Sequence, residues 1–146
     1  MGINAKLYED VRLVGIIDPD AYAANSYSTG WVAARDYQRF MAIVMAGDLG
    51  TNATIDAKIE EATDGSGTGV QDCPSKAITQ LTQAGTDSNK QALIHVGQED
   101  LSDGFTHFRL TITVAVATSD AGGLIVAVEP TRSYQTQPAT VDEQVA

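Results

Sequence analysis

A chain of 146 residues with 43% apolar and 19% charged side chains is long enough for one domain with a real core. Its 9 Lys and Arg against 19 Asp and Glu give a net charge of −10, which repels phosphate backbones and argues against direct nucleic-acid binding. The single cysteine, Cys73, excludes an internal disulfide and a thiolate metal cluster, and no apolar run reaches membrane-spanning length.

The opening MGINAKLYEDVRL lacks the apolar core of a secretory signal, and Met1-Gly2 lacks the Ser or Thr that myristoylation wants at the sixth position. A soluble protein made in the cytoplasm is expected. Val11 to Ile17 is a short apolar run closed by the turn Asp18-Pro19-Asp20. The stretch AYAANSYSTG after it reads as an extended arm, with Tyr22, Tyr27 and Trp31 as anchors for the core or for a neighbouring subunit. Asp36 to Ala46 is helical by propensity, but the Gly47-Asp48-Leu49-Gly50 turn and the strand beyond argue for a hairpin. In Thr51 to Glu60, Ala53, Ile55, Ala57 and Ile59 alternate with polar residues, which gives a strand with one wet face.

TDGSGTG (63–69) is a flexible loop: no Gly-Lys-Ser/Thr follows to make a phosphate cradle, and Asp64 is its lone carboxylate. KAITQLTQ (76–83) fits strand or helix, and its threonines favour strand. Gly85 to Asn89 is a turn, and Gln91 to Gly97 is a strand with Ala92, Ile94 and Val96 on one side. The most regular stretch is Gly104 to Val116, where Phe108, Leu110, Ile112, Val114 and Val116 point one way and His107, Arg109, Thr111 and Thr113 the other. A turn at Ser119 to Gly123 and a short run, Leu124 to Val128, suggest that these two strands form a hairpin. The tail passes Pro130 and Tyr134 into QTQPATVDEQVA, expected to be disordered or to dock on a partner.

Seven or eight short strands without a long amphipathic helix make an all-β fold, a jelly-roll-like antiparallel β-sandwich with an extended N-terminal arm and a C-terminal tail. The expected division is an arm with a first short strand (1–35), the sandwich (36–130) and the tail (131–146). Candidates for chemistry are thin. His95 and His107 would share a metal with Glu99 or Asp100 only if their strands paired, and their spacing matches no motif. Glu60 and Glu61 are strand neighbours and point to opposite faces. No serine stands in a Gly-x-Ser-x-Gly elbow. No catalytic, cofactor or metal residue is assigned, and an enzyme is not expected. Arg109, mid-strand on the polar face, either is solvated or pairs across a subunit boundary with Asp100 or Asp103 of a neighbour.

The blocks GDLGTNATIDAKIEEATDGSGTG, KAITQLTQAGTDSNKQALIHV and LSDGFTHFRLTITVAVATSDAGG resemble, in that order, a family of small virion head proteins of tailed bacteriophages. The similarity runs from about Tyr37 to Val128, leaving the first 36 residues and the tail outside. The resemblance implies a capsid decoration or cement protein on the exterior of an HK97-fold shell, at three-fold and quasi-three-fold positions. Its partners would be the major capsid protein and itself, as a homotrimer, with no cofactor. Trp31, Tyr27, Phe40 and Phe105 are the apolar residues that such a trimer interface would use. A head–tail connector or tail component, and a carbohydrate-binding jelly roll, are the alternatives.

Overall fold

The computed structural model describes residues 6–131 and 137–145. A one-turn helix, α1 (Leu7–Asp10), leads into ten strands: β1 (Val11–Tyr22), β2 (Asn25–Ser28), β3 (Val32–Ala33), β4 (Tyr37–Ala46), β5 (Thr54–Ala62), β6 (Gln71–Ala77), β7 (Leu81–Thr82), β8 (Gln91–Gly97), β9 (His107–Ala115) and β10 (Ser119–Pro130). They form two sheets. Sheet I has the order β1-β10-β4-β8, and sheet II has β2-β9-β5-β6, with β3 beside β9 and β7 beside β5. Every pairing is antiparallel.

The winding follows from which strands meet. β5 pairs with β6, β4 with β8, β2 with β9 and β1 with β10, the pairing of one long hairpin rolled into two layers. Rolling also sets β10 against β4 and β9 against β5. That is a jelly roll.

Alternation supplies the core. From sheet I, Phe40, Ala42, Val44, Ile94, Val96, Ile125 and Ala127 point inward; from sheet II, Ile55, Ala57, Ile59, Phe108, Leu110, Ile112 and Val114 meet them. Phe40 and Phe108 cross edge-to-face with ring centroids 4.8 Å apart, joining the layers. The strand expected over 51–60, the buried row of 91–97 and a strand at 36–46 are present, but the hairpin expected of 36–46 with the strand beyond is not, since β4 lies in sheet I and β5 in sheet II.

Other expectations are corrected. The strand at 107–115 and the one after it do not form a hairpin: β9 lies in sheet II and β10 in sheet I. Ser119 to Gly123 is the beginning of β10, and the chain turns earlier, at Val116, whose φ is +74° and whose side chain is exposed. Gly123 is there for close packing: a Cβ on it would lie 2.8 Å from Leu110 Cδ2 of the opposing sheet.

The stretch expected as an arm is woven into both layers. β1 runs through Asp18-Pro19-Asp20 with a register shift and ends at Tyr22, and β2 then pairs with β9. Polar composition misled here because β2 is an edge strand whose side chains are mostly exposed. KAITQLTQ is split between the end of β6 and the two-residue β7. Ile78 and Leu81 pack on the core at the point where the chain leaves and rejoins β5. In the tail, Gln137 docks on its own chain: it accepts the Leu13 N–H at 3.0 Å and donates to the carbonyls of Tyr8 (3.2 Å) and Val11 (2.5 Å). Tyr134 and Met1–Ala5 lie outside the described residues.

Candidate functional surfaces

The outer face of sheet II is a polar lattice. Even-numbered positions of β5 and odd-numbered positions of β9 face outward together, because Glu60 is in register with Arg109 and Lys58 with Thr111. Glu60 Oε2 accepts from Arg109 Nε and Nη2, both at 2.8 Å, and from Thr111 Oγ1 at 2.9 Å. Lys58 bridges to Asp72 at 2.5 Å and lies 3.5 Å from Glu60. Ser28 with Thr111 (2.7 Å) and Ser26 with Thr113 (2.8 Å) make hydroxyl pairs across β2 and β9. Burial works to raise the Glu60 carboxyl, but the hydrogen bonds from Arg109 and Thr111 outweigh it and hold the group below the usual glutamate range.

Trp31 covers this lattice. Thr29 exchanges bonds with Leu110, N–H to carbonyl at 3.0 Å and Oγ1 from the Leu110 N–H at 3.1 Å, so the chain leaves β2 at a fixed point and carries the indole over β9. The Arg109 guanidinium stacks 4.5 Å from the Trp31 ring centroid. The TDGSGTG loop closes the other side. Asp64 accepts from the Ser66 and Thr68 N–H groups, which orders the loop expected to be flexible. A Cβ on Gly67, at φ +85°, would lie 2.8 Å from Trp31 Nε1, so a side chain there would displace the indole.

The remaining candidate interface residues fall in different places. Phe40 is only 2% exposed, wedged between Tyr37 and Phe108, and is a core residue rather than a surface anchor. Its even parity with Ala42 and Val44 carried that signal. Tyr22 and Tyr27 pack with ring centroids 4.2 Å apart, tilted by 43°, where the chain passes from sheet I to sheet II, and their hydroxyls donate to the Asp18 and Ala23 carbonyls. Phe105 is half-buried in the loop before β9. Arg109 pairs with Glu60 of its own chain.

His95 and His107 do not meet, since β8 and β9 belong to different sheets; His107 Nδ1 lies 2.8 Å from Thr106 Oγ1. His95, Glu99 and Asp100 do come together, with ligand atoms within 4.8 Å of one another. Asp100 Oδ2 is engaged by the Gly97 N–H (2.7 Å) and by Lys76 Nζ (2.9 Å), so the group is a salt-bridged corner that orders the end of β8.

Sequence reasoning passed over Glu61. It continues the odd-numbered row of Ile55, Ala57 and Ile59, and that parity was the available signal. The carboxylate is fully buried, accepting from the Gln71 amide at 2.7 Å and the Ser102 N–H at 2.9 Å. Burial pushes it up, and the Ser102 and Gln71 bonds bring it below the usual range. Cys73 lies beside it, its thiol raised to about 11 by burial and by the Glu61 carboxylate. A thiol held so high is a poor nucleophile.

The outer face of sheet I is different in kind. Register places Ile16, Leu124, Ile43 and Leu93 in one row across its four strands, and Leu13, Val126, Met41 and His95 in the next. Leu93 is 63% exposed, Met45 49% and Met41 36%. Among the described residues of these two rows no side chain carries a carboxylate; Asp20 and Asp120 stand at one end of the face and the Arg39–Glu129 pair at the other. No helix among the described residues is long and apolar enough to cross a membrane.

No protein-family model and no curated protein matches the chain. Among solved structures it is similar to a chain of infectious bursal disease virus, Gx strain (12% identity, TM-score 0.48, covering 85% of this chain and 34% of that one). It is also similar to one from the T13 particle of the same virus (13% identity, TM-score 0.49, 88% and 35%). A third is from tobacco necrosis virus (16% identity, TM-score 0.37, 84% and 95%). The chain spans about a third of the length of the two bursal disease virus chains.

Proposed function

We propose that this protein is a bacteriophage capsid decoration protein. In this reading it binds the exterior of an HK97-fold shell at three-fold and quasi-three-fold positions, as a homotrimer, and adds contacts across capsomer boundaries. The observation that carries the reading is the coincidence of sequence blocks with fold. The stretch resembling small virion head proteins, Tyr37 to Val128, takes in β4 through most of β10, so the resemblance lies on the sandwich itself. The surface supports it too, because the two sheets offer broad faces and the polar residues at hand are used to hold loops in place. A protein of this kind stabilises the assembled shell by binding it in preference to its separated parts.

Under this reading Trp31 and Arg109 on sheet II, with Tyr22, Tyr27 and Phe105, form the contacts to the major capsid protein and to neighbouring copies. The test is the copy number in purified virions, measured by quantitative mass spectrometry against the major capsid protein. A number comparable to that of the major capsid protein is expected. A ring's worth of copies per particle would overturn the reading in favour of a connector, and absence from particles would remove the virion role altogether.

A further inference from the structure

Among the described residues, the β10, β4 and β8 part of the outward face of sheet I has no partner, and three observations bear on what covers it. The first is extent. Four strands about 4.8 Å apart, twelve residues long in β1 and β10, ten in β4 and seven in β8 at about 3.3 Å each, give a footprint of roughly 650 Å². Specific protein interfaces bury about 600–1,000 Å² on each partner, so the face lies within that range.

The second is charge. A chain with 9 basic and 19 acidic residues repels its own copies over most of its surface. The rows through Ile43 and Met41 lack carboxylates, so two copies approaching through this face bring together the part of each surface that is least repulsive. The third is the chain's own tail. Its described part runs beside Leu7, Val11 and Leu13 at the β1 edge, with Val141 and Val145 facing them, and Ile43, Met41 and Leu93 are not among the residues it lines. The described part of the tail therefore occupies the margin and leaves the β4–β8 side open.

We infer that the outer face of sheet I binds the same face of a second copy, sheet against sheet about a two-fold axis. An isologous contact needs a single self-complementary patch, whereas a head-to-tail contact needs two different patches that match. The polar lattice of sheet II is no match for the apolar rows of sheet I. Ile43 and Leu124, in the central strands, would lie near the axis, with Leu93 and Ile16 towards the two sides. The inference does not rest on the capsid reading, since it concerns the free protein.

Light scattering after size exclusion tests it, on the full chain at micromolar concentration. Leu93→Lys places a cation at the most exposed apolar position of the face, and Met41→Lys is the second variant. The wild-type assembly is expected to have twice the mass of either variant, with circular dichroism and the unfolding midpoint unchanged. Thr113→Lys, on sheet II, should leave the mass as in the wild type. Pairing of like-charged copies should also tighten as salt rises, because screening removes repulsion and leaves the apolar contact. Equal masses for wild type and both lysine variants would overturn the inference, as would a monomeric wild type at every concentration. The monomeric outcome would assign the face to a different protein.

Discussion

The two sheets share one backbone logic and present opposite outer surfaces. Both alternate in and out along each strand, and both bury an aliphatic row against Phe40 and Phe108. On sheet II the outward row is Lys58, Glu60, Arg109, Thr111 and Thr113, each held by a neighbouring strand or capped by Trp31. On sheet I the outward row is Ile16, Leu124, Ile43 and Leu93, which lie in register across the strands and leave apolar surface in water. Period-two patterning therefore decides which face is buried within the domain, while the chemistry of the other half decides whether a sheet is finished or awaits a partner.

The largest expected effect strikes what the two sheets share. Phe108→Ala should cost about 3–5 kcal/mol in chemical denaturation, because it empties the space between Phe40 and the inner row of β9. A loss below about 1 kcal/mol would mean that the layers do not meet there. Next comes the closed end of sheet II. Glu61→Ala strands the Ser102 N–H and the Gln71 amide, and should cost about 1–3 kcal/mol with faster hydrogen exchange at Ser102.

Acid should also weaken the paired carboxylates. Glu60 and Asp100 have folded-state carboxyls below their usual values, so the stability they contribute is present above the unfolded-state value and is lost as pH falls through the folded one. The urea midpoint is expected to fall from the ordinary carboxylate range downwards, and Glu60→Gln should flatten that dependence. An equally steep curve for the variant would remove Glu60 from the account. The smallest effect is the stack itself: a Trp31→Ala and Arg109→Ala double-mutant cycle should give a coupling of about 0.5–1 kcal/mol. Additive costs would mean that indole and guanidinium are mere neighbours.

Much of this was legible in the chain. The alternation in 53–59 and 108–114 located both inner rows of sheet II, and that of Ile94 and Val96 located the inner row of β8. What misled was local chemistry serving a distant purpose. Gly122 and Gly123 have the composition of a turn, but they lie in a strand, where a side chain on Gly123 would meet Leu110 of the opposing sheet and one on Gly122 would crowd Pro19 of neighbouring β1. Trp31 looked like the anchor of a free arm because the residues it rests on, Arg109 and Gly67, are far away in sequence. Glu61 shows the converse: its parity was plain, but the donors that permit a buried carboxylate come from positions 71 and 102.

The place of β10 between β1 and β4 sets an order of events for a chain made from its N-terminus. Sheet II can pair β2, β5, β6 and β9 as soon as residue 115 is available, but β1 and β4 have no common neighbour until 119–130 emerge. Until then Ile16, Met41, Ile43 and Leu93 belong to strands of an unfinished layer, exposed on both sides. Long-range pairing of this kind is slow and prone to aggregation. A ribosome-bound chain stopped before residue 119 should therefore depend on chaperones far more than one released after 130.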